Sequence, residues 1–187
     1  ILMKNIKVTI KGISPLLMNK PSLLDISDKA KKKQAGIDVL EQQFQDKRYL
    51  TPEGELFTPD THIKGALMEA GKRVKVKGDG RSTFSKIIGF GIIITPAEII
   101  HKKKNVEKFI TLIVNPTTHG RSPSCRPMLK EWELDFNIEY DNDEIPEEAL
   151  KECLEIAGRR VGIGDWRPAK KGTFGRFIIT SFKEVDK

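Results

Sequence analysis

The chain has 187 residues, 33 lysines and arginines against 26 acidic residues, and a formal net charge of +7. That length suits a single domain with a sizeable core, the charge favours anionic partners without choosing a fold, and no run of about 18 apolar residues offers a membrane span. The two cysteines, Cys125 and Cys153, fit a reducing, cytoplasmic compartment better than a disulfide scaffold, no His/Cys spacing suggests zinc, no cofactor is expected, and the opening Ile1-Leu2-Met3-Lys4 lacks the apolar segment of a secretory leader.

Lys4 to Lys11 alternates, with Ile6, Val8 and Ile10 on one side and Lys7, Thr9 and Lys11 on the other, which predicts a half-buried strand. Pro15 to Met18 is a second buried piece after Gly12. The polar span from Asn19 to Asp46, with its Lys31 to Lys33 run, reads as an insertion carrying a weak helix over 38–44. Arg48 to Phe57 predicts a hairpin turning at Pro52-Glu-Gly54.

The next stretch is a helix, with Asp60 or Thr61 able to cap it and Ile63, Ala66, Leu67 and Ala70 as its core stripe. Gly71 is a natural stop. Gly65 in its interior costs about 1 kcal/mol against alanine, so something should pass close there, either a neighbouring strand or the backbone of a ligand. Lys72 to Lys86 is basic and loop-like. Ile87 to Ile94 reads as a buried strand, Pro96 to Ile100 as a short helix, and His101 to Lys104 as a basic turn.

Phe109 to Val114 predicts a strand and 115–130, rich in proline, a long loop carrying Arg121, Arg126 and the thiol of Cys125. Glu131 to Tyr140 is the clearest alternation, with Trp132, Leu134, Phe136, Ile138 and Tyr140 on the core face. A helix follows Pro146, with Ala149, Leu150, Cys153, Leu154 and Ala157 as its stripe, acids at its start and Arg159 and Arg160 at its end, as the helix dipole prefers.

Beyond it runs Gly158 to Phe177, punctuated by Gly162, Gly164, Gly172 and Gly175, and then a final strand over 174–182. Arg159, Arg160, Arg167, Lys170, Lys171 and Arg176 stand in it against one acid, Asp165. Glycines permit close backbone approach, consecutive free amides can cradle an anion, arginines make bidentate phosphate contacts and aromatic faces can stack on bases. The loop therefore predicts a polyanion site. Trp166 either stacks on a base or plugs the edge of the core. Phe174 and Phe177 read as core residues.

Stripped of insertions, the order is strand, helix, strand, strand, helix, strand. This predicts an α+β chain of ferredoxin-like (βαββαβ) plan, the plan of RNA-recognition domains, with an antiparallel sheet packed by two helices. Leu56-Phe-Thr-Pro-Asp-Thr-His-Ile-Lys-Gly-Ala-Leu67 resembles the first-helix segment of the CRISPR RAMP superfamily, and Gly162-Ile-Gly164 through Gly172-Thr-Phe-Gly-Arg-Phe177 resembles its glycine-rich loop before the last strand. The opening strand and apolar segment are also similar, so the likeness covers roughly 60 residues. Asp60 and Thr61 stand where that superfamily tends to have Gly-Ser, and Gly162 to Pro168 is more ornate than its usual loop.

The resemblance implies a single RAMP-like domain over 1–187, with insertions at about 19–47, 72–105 and 115–130, the last where a thumb-like hairpin would sit. It implies a subunit of a ribonucleoprotein complex, of cellular or phage origin, that binds single-stranded RNA or DNA, self-associates and needs no membrane. Lys64 and the glycine loop would lie near the bound strand.

The candidate binding set is Lys64, Lys72, Arg73, Arg121, Arg126, Arg159, Arg160, Gly162, Gly164, Trp166, Arg167, Lys170, Lys171 and Arg176. The alternatives are a metal-independent endoribonuclease using His119 or His62, or a structural or inhibitory protein that mimics such a subunit. Asp25 and Asp28, in the early polar segment, are the candidate metal ligands for strand cleavage, against the plainer reading of solvated loop acids. No catalytic set is assigned.

Overall fold

The computed structural model describes residues 3–21, 37–114 and 119–185. Asp25, Asp28 and the Lys31 to Lys33 run lie outside the described residues. The described chain is α+β, with antiparallel strands and four α-helices among those residues.

β1 (Met3–Gly12) is the spine. It pairs antiparallel with β8 (Glu133–Asp141) on one side and with β9 (Phe177–Glu184) on the other. β4 (Ile92–Thr95) adds to the far edge of β8, giving the order β4-β8-β1-β9. The period-2 patterns of β1 and β8 meet in register: Ile6 faces Ile138, Val8 faces Phe136 and Ile10 faces Leu134. All of these are buried.

Two helices cover that apolar face. α2 (Asp60–Gly71) buries Ile63, Ala66, Leu67 and Ala70, the predicted stripe, and α4 (Glu147–Ile156) buries Leu150, Cys153 and Leu154. They join the sheet residues in one core cluster. Full burial of one such leucine or isoleucine contributes about 1.5–3 kcal/mol. Burial also pushes the Cys153 thiol up to about 12, so it is inert.

The opposite face of the sheet carries Asn5, Lys7, Thr9 and Lys11 of β1, Glu133, Asp135, Asn137 and Glu139 of β8, Ile93 and Thr95 of β4, and Ile178, Ser181 and Lys183 of β9. None of these is aromatic. RNA-recognition domains stack bases on aromatic residues of this face, so the binding mode of those domains has no platform here.

A second sheet, β2-β7-β6, stands beside the first. β6 (Glu107–Val114) and β7 (Arg121–Leu129) form a hairpin, and β2 (Leu16–Leu17) pairs with the end of β7. This corrects the reading of 115–130 as a long loop. The prolines hid the strand. Pro123, Cys125 and Pro127 share a parity, and the Cys125 amide points away from β6 to donate to Gln43 Oε1 at 2.8 Å. The Pro127 carbonyl accepts from the Met18 amide at 2.9 Å. The prolines therefore occupy positions where the β6 ladder needs no N–H. Cys125 is accordingly a buried strand thiol and not a loop one.

Helix α1 (Ile37–Asp46) lies against β7. Ile110, Leu112 and Val114 remain more than half exposed along β6.

The run from Ile87 to Ile94 also departs from expectation. α3 (Phe84–Gly91) takes its first part, burying Phe84 and Ile88, and only Ile92–Thr95 is strand. A continuous apolar run carries no periodicity to separate the two states. It also means that β4, a strand of the main sheet, sits inside the span read as insertion 72–105. Residues 96–100, expected as a helix, include instead β5 (Glu98–Ile100), which pairs with β3 (Phe57–Pro59).

His101, just past β5, is fully buried. Its Nε2 shares a hydrogen bond of 2.8 Å with Thr58 Oγ1, and its Nδ1 has no partner. Burial pushes its pKa down to about 4. The unfolded chain then binds the extra proton first, so stability is full above about pH 6.5 and falls as pH drops toward about 4. Urea unfolding should show a loss of about 2 kcal/mol between pH 6.5 and 5, absent in His101→Gln. Equal slopes in the two proteins would assign the acid sensitivity elsewhere.

Candidate nucleic-acid interface

The stretch after α4 is a loop packed on itself and on the segment that follows β1. The helix ends in a π turn, Ala157–Val161, which leaves Arg159 and Arg160 exposed. Such turns occur often at functional sites. Gly158 lets this turn lie against the Phe177 carbonyl at the start of β9.

Next, the Ile163 amide donates to Gly175 O, Asp165 to Leu17 O, Gly172 to Arg167 O, Phe174 to Trp166 O and Gly175 to Pro15 O, all between 2.8 and 3.1 Å. The Arg176 amide donates to Ser14 Oγ at 2.9 Å. The Gly162 amide donates to Ala157 O at 2.7 Å. Amides so engaged are not free to cradle an anion.

The loop glycines serve the packing. A Cβ on Gly164 would come within 2.6 Å of the Leu17 carbonyl oxygen, and one on Gly162 within 2.7 Å of the Pro168 ring.

Arg126 is likewise internal, and Trp166 is half-buried over it. Arg126 is 8% exposed, pairs with Asp165 and lies 5.2 Å from the Trp166 ring. Trp166 meets Phe109 edge-on at 5.9 Å, and Phe174 does so at 5.2 Å. The indole is thus a plug with a cation on its face. Arg126, expected on a loop, is instead a strand residue satisfied inside the fold.

The remaining cations divide by pairing. Lys102 bridges Glu133 and Asp135 at 2.6 and 2.7 Å, Lys103 meets Glu131, Lys104 meets Glu55 at 3.1 Å, and Lys108 meets Glu41. The basic turn at 101–104 is largely neutralised. Lys64 donates to the Ile92 carbonyl at 3.1 Å, on the flank of α2 toward β4. Lys72 pairs with Glu69 at 2.5 Å in an exposed bridge, a kind worth little and easily exchanged. Arg73, Arg121, Arg159, Arg160, Arg167, Lys170, Lys171 and Arg176 make no ion pair that the structure records among the described residues.

Several of these free cations line two recesses, one on the other flank of α2 and one between the turn after α2 and the end of α4. The first, about 270 Å³, lies between Thr61, His62, Gly65 and Glu69 of the helix and Gly164, Arg167 and Lys170 of the loop. The second, about 410 Å³, is bordered by Arg73, Arg159 and Arg160 with Glu152 and Glu155. Consecutive residues of the π turn border both, Val161 the first and Arg160 the second. Lys171 and Arg176 are exposed but line neither, and Arg121 sits on the β6–β7 hairpin.

His62 stands edge-on to Tyr49 at 5.4 Å. Burial first, and then the Arg167 charge, hold its imidazole below the ordinary range, so it is neutral near pH 7.

Nothing lies within 4 Å of where a Cβ on Gly65 would be. No strand passes there, and the bare backbone is a wall of the first recess. Glu69 escaped sequence reasoning, because nothing separates it from a solvated helix acid until the loop folds over it.

His119 is exposed at the hairpin and outside both recesses. Among the described residues no group of three or more His, Cys, Asp and Glu is placed to hold a metal ion, and no helix is long and apolar enough to cross a membrane. Comparison with known proteins returns no match to a protein-family model and none to a curated protein.

Proposed function

We propose that this chain is a RAMP-type, ferredoxin-like protein that binds single-stranded nucleic acid, RNA in the first instance, along the flank of α2 that faces the glycine loop. The observation that carries the reading is the gathering of unpaired cations in concave ground. Lys102, Lys103, Lys104 and Lys108 are met by acids, whereas Arg73, Arg159, Arg160, Arg167 and Lys170 gather without a recorded ion pair along two recesses that share the π turn. A surface that leaves guanidiniums unpaired in concave ground suits phosphate.

The order β1, α2, β4, β8, α4, β9 with the sheet order β4-β8-β1-β9 supports the ferredoxin-like plan. The aliphatic row on β6, at an open sheet edge, supports a subunit that meets further protein, including copies of itself.

Binding on these terms is electrostatic and weakly sequence-specific. Anisotropy of a labelled oligonucleotide at about 50 and 200 mM salt should show affinity falling steeply. Changing Arg73, Arg159 and Arg160 together to glutamate should cost about 100-fold at 100 mM salt and reduce the salt slope by about 2, at roughly 0.7 for each phosphate no longer neutralised. Thermal melting should fall modestly, because the new glutamates oppose the helix dipole at the end of α4 and stand beside Glu152 and Glu155, while the variant stays folded. An unchanged slope in a folded triple variant would overturn the proposal.

A further inference from the structure

The first recess holds more than a phosphate site needs. Arg167 and Lys170 supply positive charge on the loop side. On the helix side stand the Thr61 hydroxyl, the His62 imidazole and the Glu69 carboxylate. A carboxylate repels phosphate, so a seat for charge alone gains nothing from Glu69. It is, however, a strong acceptor for a hydroxyl, with about four lone-pair sites of which Lys72 engages one. A neutral imidazole adds one donor and one acceptor. The Arg167 guanidinium is steadied from its own loop, donating to the Gly164 carbonyl at 3.0 Å.

Between the two sides the helix presents Gly65, with open space above it. At about 270 Å³ the recess is below the roughly 300–1,000 Å³ of typical small-molecule pockets. That size suits one unit of a passing chain. Cations and hydroxyl acceptors on facing walls, over a bare backbone, match a sugar and its phosphate.

We infer that this recess reads the sugar of the bound strand. Arg167 and Lys170 hold a phosphate, while Thr61, His62 and Glu69 receive the adjoining ribose 2′-hydroxyl over Gly65, so that the protein selects RNA over DNA. The inference rests on the polyanion reading above and adds the atoms that discriminate. The two polymers share their phosphates, so the unpaired arginines alone do not separate them.

The test uses the full chain and two labelled strands of one uracil-containing sequence, one ribose and one 2′-deoxyribose, at the same salt. The ribose strand should bind about tenfold tighter or more, the difference expected for a hydrogen bond to a charged group. Glu69→Gln should tighten both strands by removing a negative charge, yet narrow the ratio between them, which a purely electrostatic role would leave unchanged. Gly65→Ala should raise the melting temperature, because alanine is the better helix former, and still narrow the ratio. Equal binding of both strands by the unaltered protein overturns the inference while the polyanion reading stands. A preference that survives both substitutions also overturns it, since the selectivity would then lie elsewhere. Binding of neither strand at low salt removes the polyanion reading itself.

Discussion

Gly175→Ala is expected to lower the melting temperature by roughly 8–16 °C, the shift for about 4 kcal/mol in a chain of this size. Two separate effects combine there. Gly175 has φ 71°, where an L side chain is strained. A methyl at that position would also be driven into the carbonyl oxygen of Ile163, the residue whose amide donates to Gly175 O. The clash is with backbone on both sides of a hydrogen-bonded crossing, so no side-chain rotation relieves it.

Gly54→Ala separates the two effects. Gly54 has φ 83° with nothing within 4 Å of a Cβ, so only the backbone strain applies, about 1 kcal/mol. Calorimetry of both variants beside the parent measures the difference. Equal small shifts would mean that the loop does not cross itself as described.

Arg126→Ala should destabilise the protein by about 3 kcal/mol. The side chains of Arg126 and Asp165 are 10% and 23% exposed. Removing one leaves the other charge poorly solvated, and the Trp166 ring loses its cation. Asp165→Ala should cost a similar amount for the same reason. The double variant Arg126→Met, Asp165→Asn should recover much of the loss, because replacing both partners of a buried pair is often close to neutral. On the proposed function it should also bind single-stranded nucleic acid as the parent does, since this arginine is assigned to the fold. Denaturant unfolding of the singles and the double measures the coupling. Additive losses would mean that the two charges do not act as a pair, and failure of the folded double variant to bind would return Arg126 to the interface.

Arg126 also marks where sequence reading stops. β1, β8 and the stripes of α2 and α4 were legible because one side of each is buried, so residue type follows the period of the element. The α+β, antiparallel expectation holds on that basis. β7 was not legible, because prolines at 123 and 127 are acceptable only once the direction of each amide is known, and that depends on β6 and α1.

Charge showed the same limit. Lys102, Lys103 and Lys104 look as available in sequence as Lys170 and Lys171, and only the fold brings Glu133, Asp135, Glu131 and Glu55 to meet the first three. The loop was recognisable from its glycines, but their purpose was not. Composition does not distinguish a backbone that approaches a ligand from one that approaches itself. Gly65 was the informative glycine, since its cost to a helix could be seen from sequence and its open surroundings could not.

The stitching of the loop to residues 14–17 has a temporal consequence. Arg176 reaches Ser14 across 162 positions, and Asp165 and Gly175 reach Leu17 and Pro15. Contacts between such remote segments form slowly and only after the intervening polypeptide has been made. During synthesis the opening strand must wait for almost the whole of the remainder, and the recess walled by Gly164, Arg167 and Lys170 does not exist until that late closure.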